Sequence, residues 1–438
     1  MRRKKALNIL DIDDEAKRKV EEIEHADIVV GIPSFNNEKT IGHVVKAAEY
    51  GLAKYFPNMK AVLVNSDGGS KDRTKEVVKD TGVYHSLNTI LVDHPISPAA
   101  QVIATYNGIP GKGSALKAIF EVSDRLGAKA CVLLDSDLRS ATPEWIELLA
   151  RPIIRRGYDY VSPFYSRHKY DGTITNMVVY PLTRALYGKR VRQPIGGDFG
   201  ISKKLIKNYL DKAVWETDVA RFGIDIWMTT VAISEDFKIC QSFLGAKIHD
   251  AKDPSKSLGP MFKQVVATVF RLMIDYESDW KGIKESIPTA MYGFVSEVYP
   301  EPIEVTLEPM IENFKSGLRE NAEFWKKFLP DERLYELNQI ASLGTNEFCF
   351  PPEVWVKAVY DFAAGFNKAK GADKERIVES MTSLYFGRVA SFVIESKDLK
   401  TYDAELLIET QALKFEELKP YLLERWGTIA SHKNLYES

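Results

Sequence analysis

Short β-rich apolar runs alternate with helix-spaced segments in the first third of the chain, and this alternation constrains the fold more than any other feature. Ile28-Val29-Val30-Gly31-Ile32, Ala61-Val62-Leu63-Val64, Thr89-Ile90-Leu91-Val92 and Ala130-Cys131-Val132-Leu133-Leu134 are the runs. Helical spacing fills 40–52, 70–81 (with Ser70 as candidate N-cap) and 114–126. A strand buried on both faces is apolar without a break, and parallel strands need a crossover between them. The pattern predicts an α/β fold, a mostly parallel sheet with helices on both faces. Ligands of such sheets bind beyond the carboxyl ends of the strands. That rule gathers 33–38, 65–69 and 135–137 on one rim.

From about residue 285 the pattern changes to helical periods punctuated by Pro300, Pro302, Pro309 and Pro351-Pro352. The expected organisation is a helical extension over 1–25, an α/β domain over 26–284 and an α-helical domain over 285–438. The tail aromatics Trp325, Phe328, Trp355, Tyr360 and Phe362 are read as core, and its Lys/Glu-rich segments as solvated helix faces. The tail is expected to pack on the first domain or to build a homodimer.

A 45% hydrophobic, 27% charged chain of 438 residues has too much apolar content for disorder. Lys+Arg 59 against Asp+Glu 61 leaves −2, so no global basic field points to nucleic acid or an anionic membrane. Cys131, Cys240 and Cys349 are widely spaced and odd in number, which excludes a disulfide framework and a CxxC zinc site. They are expected to be buried small hydrophobes. No uninterrupted apolar run reaches the ~18 residues of a membrane span, and nothing at the N-terminus resembles a signal peptide. A soluble cytoplasmic protein is the expectation.

The sharpest chemical signal is Leu133-Leu134-Asp135-Ser136-Asp137. Two carboxylates flanking one residue of an extended strand share a face, and they repel unless a cation lies near. Oxygen ligands of this kind suit Mg²⁺ or Mn²⁺ on a diphosphate; the alternative is a strand-end turn with two Asp. Gly111-Lys112-Gly113-Ser114 precedes a helix and offers flexible backbone and a cation to a phosphate, or is an ordinary loop with an exposed lysine. Gly196-Gly197-Asp198-Phe199-Gly200 allows close ligand approach, or is a bulge or tight corner. His249 can complete a carboxylate metal site, or is an ordinary histidine.

Taken together, the first 280 or so residues resemble the GT-A glycosyltransferases, and within them most resemble the retaining glucosyl-3-phosphoglycerate synthases, with mannosylglycerate synthases as cousins. The residues that carry the resemblance are Gly31-Ile32-Pro33-Ser34-Phe35-Asn36-Asn37-Glu38 with Thr40-Ile41, Gly111-Lys112-Gly113, and Leu134-Asp135-Ser136-Asp137-Leu138. They continue with Pro194-Ile195-Gly196-Gly197-Asp198-Phe199, Phe222-Gly223-Ile224-Asp225, Leu244-Gly245 with His249, and Leu258-Gly259-Pro260-Met261 with Gln264-Val265-Val266-Ala267-Thr268. The helical tail lies outside it.

The resemblance implies an NDP-sugar donor, UDP- or GDP-linked, and a small hydroxy-acid acceptor such as 3-phosphoglycerate or glycerate. Pro33, Ser34, Asn37 and the loop with Asn65, Asp67 and Gly68 would hold the nucleoside. Lys112 would meet the diphosphate. Asp137 and His249 would ligate Mg²⁺ or Mn²⁺, with Asp135 at the metal and ribose side and Ser136 between. Gly196 and Gly197 would lie against the donor sugar, and Asp225 beneath its reactive face, with Asp198 or Asp225 as base in an inverting variant. Two departures stand out. Asn37 replaces the family's second acidic residue, and Gly172-Thr173-Ile174-Thr175 lacks the family's phosphate-binding arginine. Arg167, Lys169, Lys247 or Lys252 would have to supply that cation, or else is a solvated surface charge.

Two rival classes are a sugar-phosphate nucleotidyltransferase and a non-catalytic sugar-nucleotide-binding scaffold. The first normally has a glycine-rich phosphate loop after the first strand, where Pro33-Ser34-Phe35-Asn36-Asn37-Glu38 has no glycine. The second fits loss of the Asp pair or the histidine, and both are present.

Overall fold

The structure is a computed structural model that describes residues 14–82, 88–93, 111–215, 217, 223–249, 258–295, 300 and 302–428. The chain divides into two compact units, each assembled from several stretches. The first is Met1–Ser166, Gly196–Asp250 and Ala290–Val298; the second is Arg167–Ile195, Ala251–Thr289 and Tyr299–Ser438.

The first unit opens with α1 (Asp14–Ile23), β1 (Ile28–Ser34), α2 (Ile41–Tyr55), β2 (Ala61–Asp67), α3 (Thr74–Gly82) and β3 (Asn88–Asp93). It continues with α4 (Lys112–Arg125), β4 (Ala130–Leu133), α5 (Pro143–Arg156) and β5 (Tyr160–Ser166). A π-helical turn (Thr175–Val179), α6 (Tyr180–Tyr187) and β6 (Lys189–Arg190) belong to the second unit. The first unit resumes with β7 (Phe199–Ser202), α7 (Lys203–Leu210), α8 (Ile224–Ser234) and β8 (Ile239–Ala246). The second takes α9 (Gly259–Asp275), α10 (Glu277–Lys281) and β9 (Ile287–Pro288), and β10 (Ala290–Tyr292) returns to the first. Helices α11 (Leu307–Trp325), α12 (Asp331–Ser342), α13 (Pro352–Lys368), α14 (Ala372–Ser396), α15 (Thr401–Glu417) and α16 (Lys419–Thr428) complete the second.

The first unit is an eight-stranded sheet in the order β10-β8-β5-β7-β4-β1-β2-β3. All neighbours are parallel except β7, which runs antiparallel between β4 and β5. Strands β1, β2 and β4 are buried along their whole length, as unbroken apolar runs require. One face packs on α2 and α5, with Ile41, Val44, Val45, Ala48 and Leu52 meeting Trp145, Ile146 and Leu149 in a core that contributes about 1.5–3 kcal/mol per fully buried large side chain. Strand order reverses between β1 and β4, and the crevice at such a switch point is where this architecture binds ligands.

Several details depart from the sequence reading. Strand β2 runs on to Asp67, and β4 stops one residue short of Leu134. Ser70 does not cap α3, which starts at Thr74 with the Asp72 carboxylate accepting from the Thr74 N–H at 3.1 Å. Helix α4 begins at Lys112, two residues before Ser114. Strands persist beyond 285, because β9 and β10 are two and three residues long, too short for a pattern to announce. Cys131 and Cys240 are buried, their thiols pushed up to about 12 by burial, whereas Cys349 is exposed. The division at 285 cuts across both compact units, because residues 167–195 and 258–289 group with the later helices.

In the second unit Trp280, Trp325, Trp355 and Trp426 are fully buried, which agrees with the core reading of the tail aromatics. Helix α14 is long and apolar enough to cross a membrane by composition, but it is mostly buried inside this unit, as a central core helix is. Trp355 donates to the Met177 carbonyl at 2.9 Å and Gln411 to the Asn176 carbonyl at 3.3 Å, so the π-helical turn is pinned by α13 and α15.

Candidate active site

Two loops at the carboxyl ends of β1 and β2 grip each other through reciprocal side-chain-to-backbone bonds. The N–H groups of Asn36, Asn37 and Glu38 donate to Ser70 Oγ (2.8 Å), Thr74 Oγ1 (2.8 Å) and Asp72 Oδ2 (3.1 Å). In return the Lys71 and Arg73 N–H groups donate to Asn36 Oδ1 (2.9 Å) and Glu38 Oε2 (3.0 Å). Backbone donors of irregular loops need partners, and each loop supplies the other's. Asn37 also accepts from Ser136 Oγ at 2.9 Å, and Thr40 donates to the Ser136 carbonyl at 2.8 Å, which ties the β1 loop to the turn after β4.

The residues expected at the nucleoside also bind these loops together. Ser34, Asn65 and Asp67 are buried. Asp67 accepts from Ser34, Ser70 and the Gly69 and Ser70 N–H groups, while the Asn65 amide donates to the Ile32 carbonyl and Ser34 Oγ. Gly68 donates to the Ser34 carbonyl, and Pro33 sits in β1 opposite Ser66. These bonds shape the rim, and Asn65 Oδ1 is buried with no hydrogen-bond partner among the described residues.

Across β4 the sequence signals converge. Asp135 and Asp137 lie past the end of β4 in a turn, so the alternation of an extended strand does not put them on one face. Asp135 carries Lys112 Nζ on Oδ1 at 3.1 Å and Lys247 Nζ on Oδ2 at 2.7 Å. Lys112 also reaches Asp225 Oδ2 at 3.0 Å, and Lys247 reaches Asp198 Oδ2 at 2.9 Å. The result is an alternating row, Asp198–Lys247–Asp135–Lys112–Asp225. Gly111 in the left-handed conformation (φ 78°) turns the chain into α4, so that Lys112 projects inward rather than into solvent. Gly197 (φ 87°) is required twice: a Cβ there would strain the backbone and overlap the Asp135 carboxylate.

The electrostatics follow from this row. Burial opposes the Lys112 charge, but Asp135 and Asp225 outweigh it and hold the ammonium above the usual lysine range. Burial likewise opposes the Asp135 charge, and Lys112 and Lys247 together hold that carboxyl far below the usual range. For Asp225 burial wins, helped by the negative Asp135, and its carboxyl sits above the usual range despite Lys112. Asp225 Oδ1 is buried and has no hydrogen-bond partner among the described residues. Asp198 is pushed up by burial against the pull of Lys247, and its oxygens already take the Asp135 N–H (2.8 Å), Tyr165 Oη and Lys247. That saturated environment suits a scaffold rather than the base considered for Asp198.

The segments bearing Asp137 and His249 are adjacent. The Arg139 N–H donates to the Ile248 carbonyl at 2.9 Å, and the Ile248 N–H donates to Ser140 Oγ at 2.9 Å. Both side chains are half-buried. Among the described residues no three His, Cys, Asp or Glu side chains cluster as a metal cage. One carboxylate and one imidazole on neighbouring segments fit an ion such as Mg²⁺, which keeps several waters and takes its other ligands from substrate phosphates.

Sequence reasoning missed Lys247, which it weighed as an acceptor cation or a surface charge; it is 7% exposed and lies inside the cluster. Its signal was its place just after an apolar strand, two residues before His249. In the second unit Arg167 pairs with Asp171 at 3.3 Å, and Lys169 donates to the carbonyls of Ser396, Lys397 and Leu399. Thr173, where the resemblance expects arginine, is fully buried and bonded to Tyr385 Oη at 2.6 Å. Phe222, Asp250 and Lys252 lie outside the described residues.

Residues 29–213 match the profile of glycosyl transferase family 2. The glucosyl-3-phosphoglycerate synthase of Petrotoga mobilis is 24% identical over 276 residues, 59% of this chain and 77% of that enzyme. Among solved structures, the glucosyl-3-phosphoglycerate synthase of Mycobacterium tuberculosis in complex with Mn²⁺, UDP and phosphoglyceric acid is 23% identical, with a TM-score of 0.42 over 58% of this chain and 82% of that one. The same enzyme with Mg²⁺ and UDP is 24% identical, with a TM-score of 0.42 over 58% and 83%. With residues 29–213 matching glycosyl transferase family 2, the chain is a nucleotide-sugar-dependent glycosyltransferase of GT-A architecture that resembles the glucosyl-3-phosphoglycerate synthases.

Proposed function

We propose that the enzyme moves a hexose, glucose or mannose, from a UDP- or GDP-linked donor to a small hydroxy acid such as 3-phosphoglycerate or glycerate. The anomeric configuration is retained and Mg²⁺ or Mn²⁺ is required. The name of the Petrotoga relative supports the acceptor class. The observation that carries the chemistry is Lys112 Nζ 3.0 Å from a carboxylate, Asp225, whose second oxygen has no partner among the described residues. One group suits the departing diphosphate and the other the sugar.

Lys112 holds the diphosphate oxygens, and the negative charge they gain as the bond to the anomeric carbon breaks is matched by its ammonium. Asp137 and His249 would hold the divalent ion, which when bound supplies further charge stabilisation to the same oxygens. Asp225 orients a sugar hydroxyl or supports the positive charge that develops on the ring. The acceptor hydroxyl attacks from the face the diphosphate leaves; its oxygen bonds to the anomeric carbon, and its proton passes to the departing phosphate oxygen. No protein nucleophile is needed. The three unpaired cysteines are in keeping with a cytoplasmic location.

The test is a panel of NDP-hexoses with 3-phosphoglycerate, glycerate or buffer, with and without Mg²⁺, read by mass and by NMR of the anomeric proton. One donor–acceptor pair should give an α-linked product from an α-linked donor. Asp137→Ala and His249→Ala should each abolish turnover with the circular dichroism spectrum unchanged. A β-linked product would overturn retention, full activity in both variants would overturn the metal site, and pyrophosphate release from NTP plus sugar phosphate would replace the reaction class.

A further inference from the structure

Helix α15 turns charge inward and apolar groups outward. Its carboxylates Glu405, Glu409 and Glu416 are bonded to the buried Arg192 and Arg184. Ala404, Ile408, Ala412 and Phe415 are buried within the second unit. The positions left to solvent are 402, 403, 406, 410, 413 and 417, which recur at helical intervals and form one face. That face carries Tyr402, Leu406 and Leu413, exposed by 76%, 53% and 44%. Among the described residues no other helix exposes more than one large apolar side chain. The three span about 16 Å of helix at about 1.5 Å per residue. The outer face of a surface helix is ordinarily polar, and apolar groups gathered there mark an interaction surface.

We propose that this face of α15 pairs with the same face of a second copy of the chain, the two helices antiparallel about a twofold axis near residue 408. The charges at its two ends choose this occupant and this direction. Lys400 and Asp403 stand at the start of α15, and Lys414 and Glu417 at its end. Two charges of each sign select neither an acidic nor a basic partner, but they match their own reversed order. In the antiparallel pair Asp403 lies beside the partner's Lys414, and Lys400 beside the partner's Glu417. A parallel pair would set each of the four on its own like charge. Lys414 and Glu417 hold each other at 2.6 Å on the surface, and an exposed pair of this kind is weak enough for both to turn to a partner. Leu406 meets the partner's Leu406, and Tyr402 lies over the partner's Leu413. Opposed helix dipoles favour the same order. A face that pairs with itself about a twofold axis closes at the dimer. The pairing is independent of the reaction proposed above.

The test is sedimentation velocity of the full chain over a range of concentrations, with circular dichroism as the control for folding. The variants are Leu406→Glu, Leu413→Glu, Asp403→Asn and the exchange Asp403→Lys with Lys414→Asp. The wild type should sediment at twice the mass of one chain. Leu406→Glu should raise the dimer Kd about a hundredfold or more, because each dimer loses two buried leucines and gains two facing carboxylates. Asp403→Asn should raise it about three- to tenfold, and the exchange should return it to within about threefold of the wild type. A wild type that stays monomeric up to about 100 μM would overturn the proposal, as would a dimer that survives both glutamate variants. Tightening by Asp403→Asn would mean parallel helices and would overturn the antiparallel order. A monomeric wild type that floats with phosphatidylglycerol vesicles, and loses them in Leu406→Glu, would give the face to a membrane instead. Should the glutamate variants not fold, Asp403→Asn and the exchange decide.

Discussion

Asp225 shows at the scale of one residue what burying a carboxylate costs. It sits at the second position of α8, where the helix N-terminus favours a negative charge, yet it is 8% exposed and its carboxyl is pushed up by burial. A folded-state value above the unfolded value means that the folded chain binds the proton more tightly. The stabilisation is full below the unfolded value, 3.8, and is lost as pH rises through the folded value, so the ionised group is a cost at neutral pH. Asp225→Asn should therefore raise unfolding stability at pH 7 by about 0.5–2 kcal/mol. It should also lower kcat by about two to three orders of magnitude and remove the acidic limb of the kcat profile. Thermal melts and a pH–rate series on the same preparations check both; an unchanged acidic limb would assign that limb to another group.

At the scale of elements, charges organise the second unit as much as apolar contacts do. Glu405, Glu409 and Glu416 lie along one face of α15 and were expected in solvent. They instead meet Arg192 and Arg184: Arg192 Nη2 is 2.9 Å from Glu405, Arg184 Nη1 is 2.6 Å from Glu409, and Arg184 Nε bonds Glu416. Both arginines are buried, Arg184 on α6 at 2% exposure. The clue was in the spacing, since positions 405, 409 and 416 recur at helical intervals on one side. Removing one partner of a buried pair strands the other, which is the expensive case. Arg184→Met should cost about 3–5 kcal/mol in urea denaturation, and restoring neutrality with Glu416→Gln should recover part of it. Lys419 plays a related part, donating to the carbonyls of Ala185 (2.9 Å), Trp280 (2.6 Å) and Ile283 (2.7 Å), where a cation meets the carboxyl ends of α6 and α10.

At the scale of the molecule, chain order and compactness disagree. Residues 167–195 and 258–289 belong with the later helices, and β10, from beyond 285, completes the edge of the large sheet. A truncation at residue 284 should consequently fail to give a folded glycosyltransferase domain. It removes β10 and leaves the faces of Met177, Asn176, Arg184 and Arg192 without α13 and α15. Size-exclusion chromatography and circular dichroism of the 1–284 fragment check this; a monodisperse, cooperatively unfolding fragment would refute it.

The sequence by itself determined the class of fold and the neighbourhood of the site. Unbroken apolar runs with helices between them can be buried only as a covered parallel sheet, and its strand ends had to gather 33–38, 65–69 and 135–137. Lys112 and Asp135, which meet in the charge row, left a local trace as a lysine between glycines and a carboxylate after a strand. The tertiary structure decided how they are used. It tied Ser34 and Asp67 into the loops, saturated Asp198, and brought Lys247 into the row. It also assigned two internal stretches to the helical unit. Those outcomes depend on which charge meets which across more than a hundred residues of chain, and a residue's spacing along the sequence carries no information about the partner that neutralises it once water is gone.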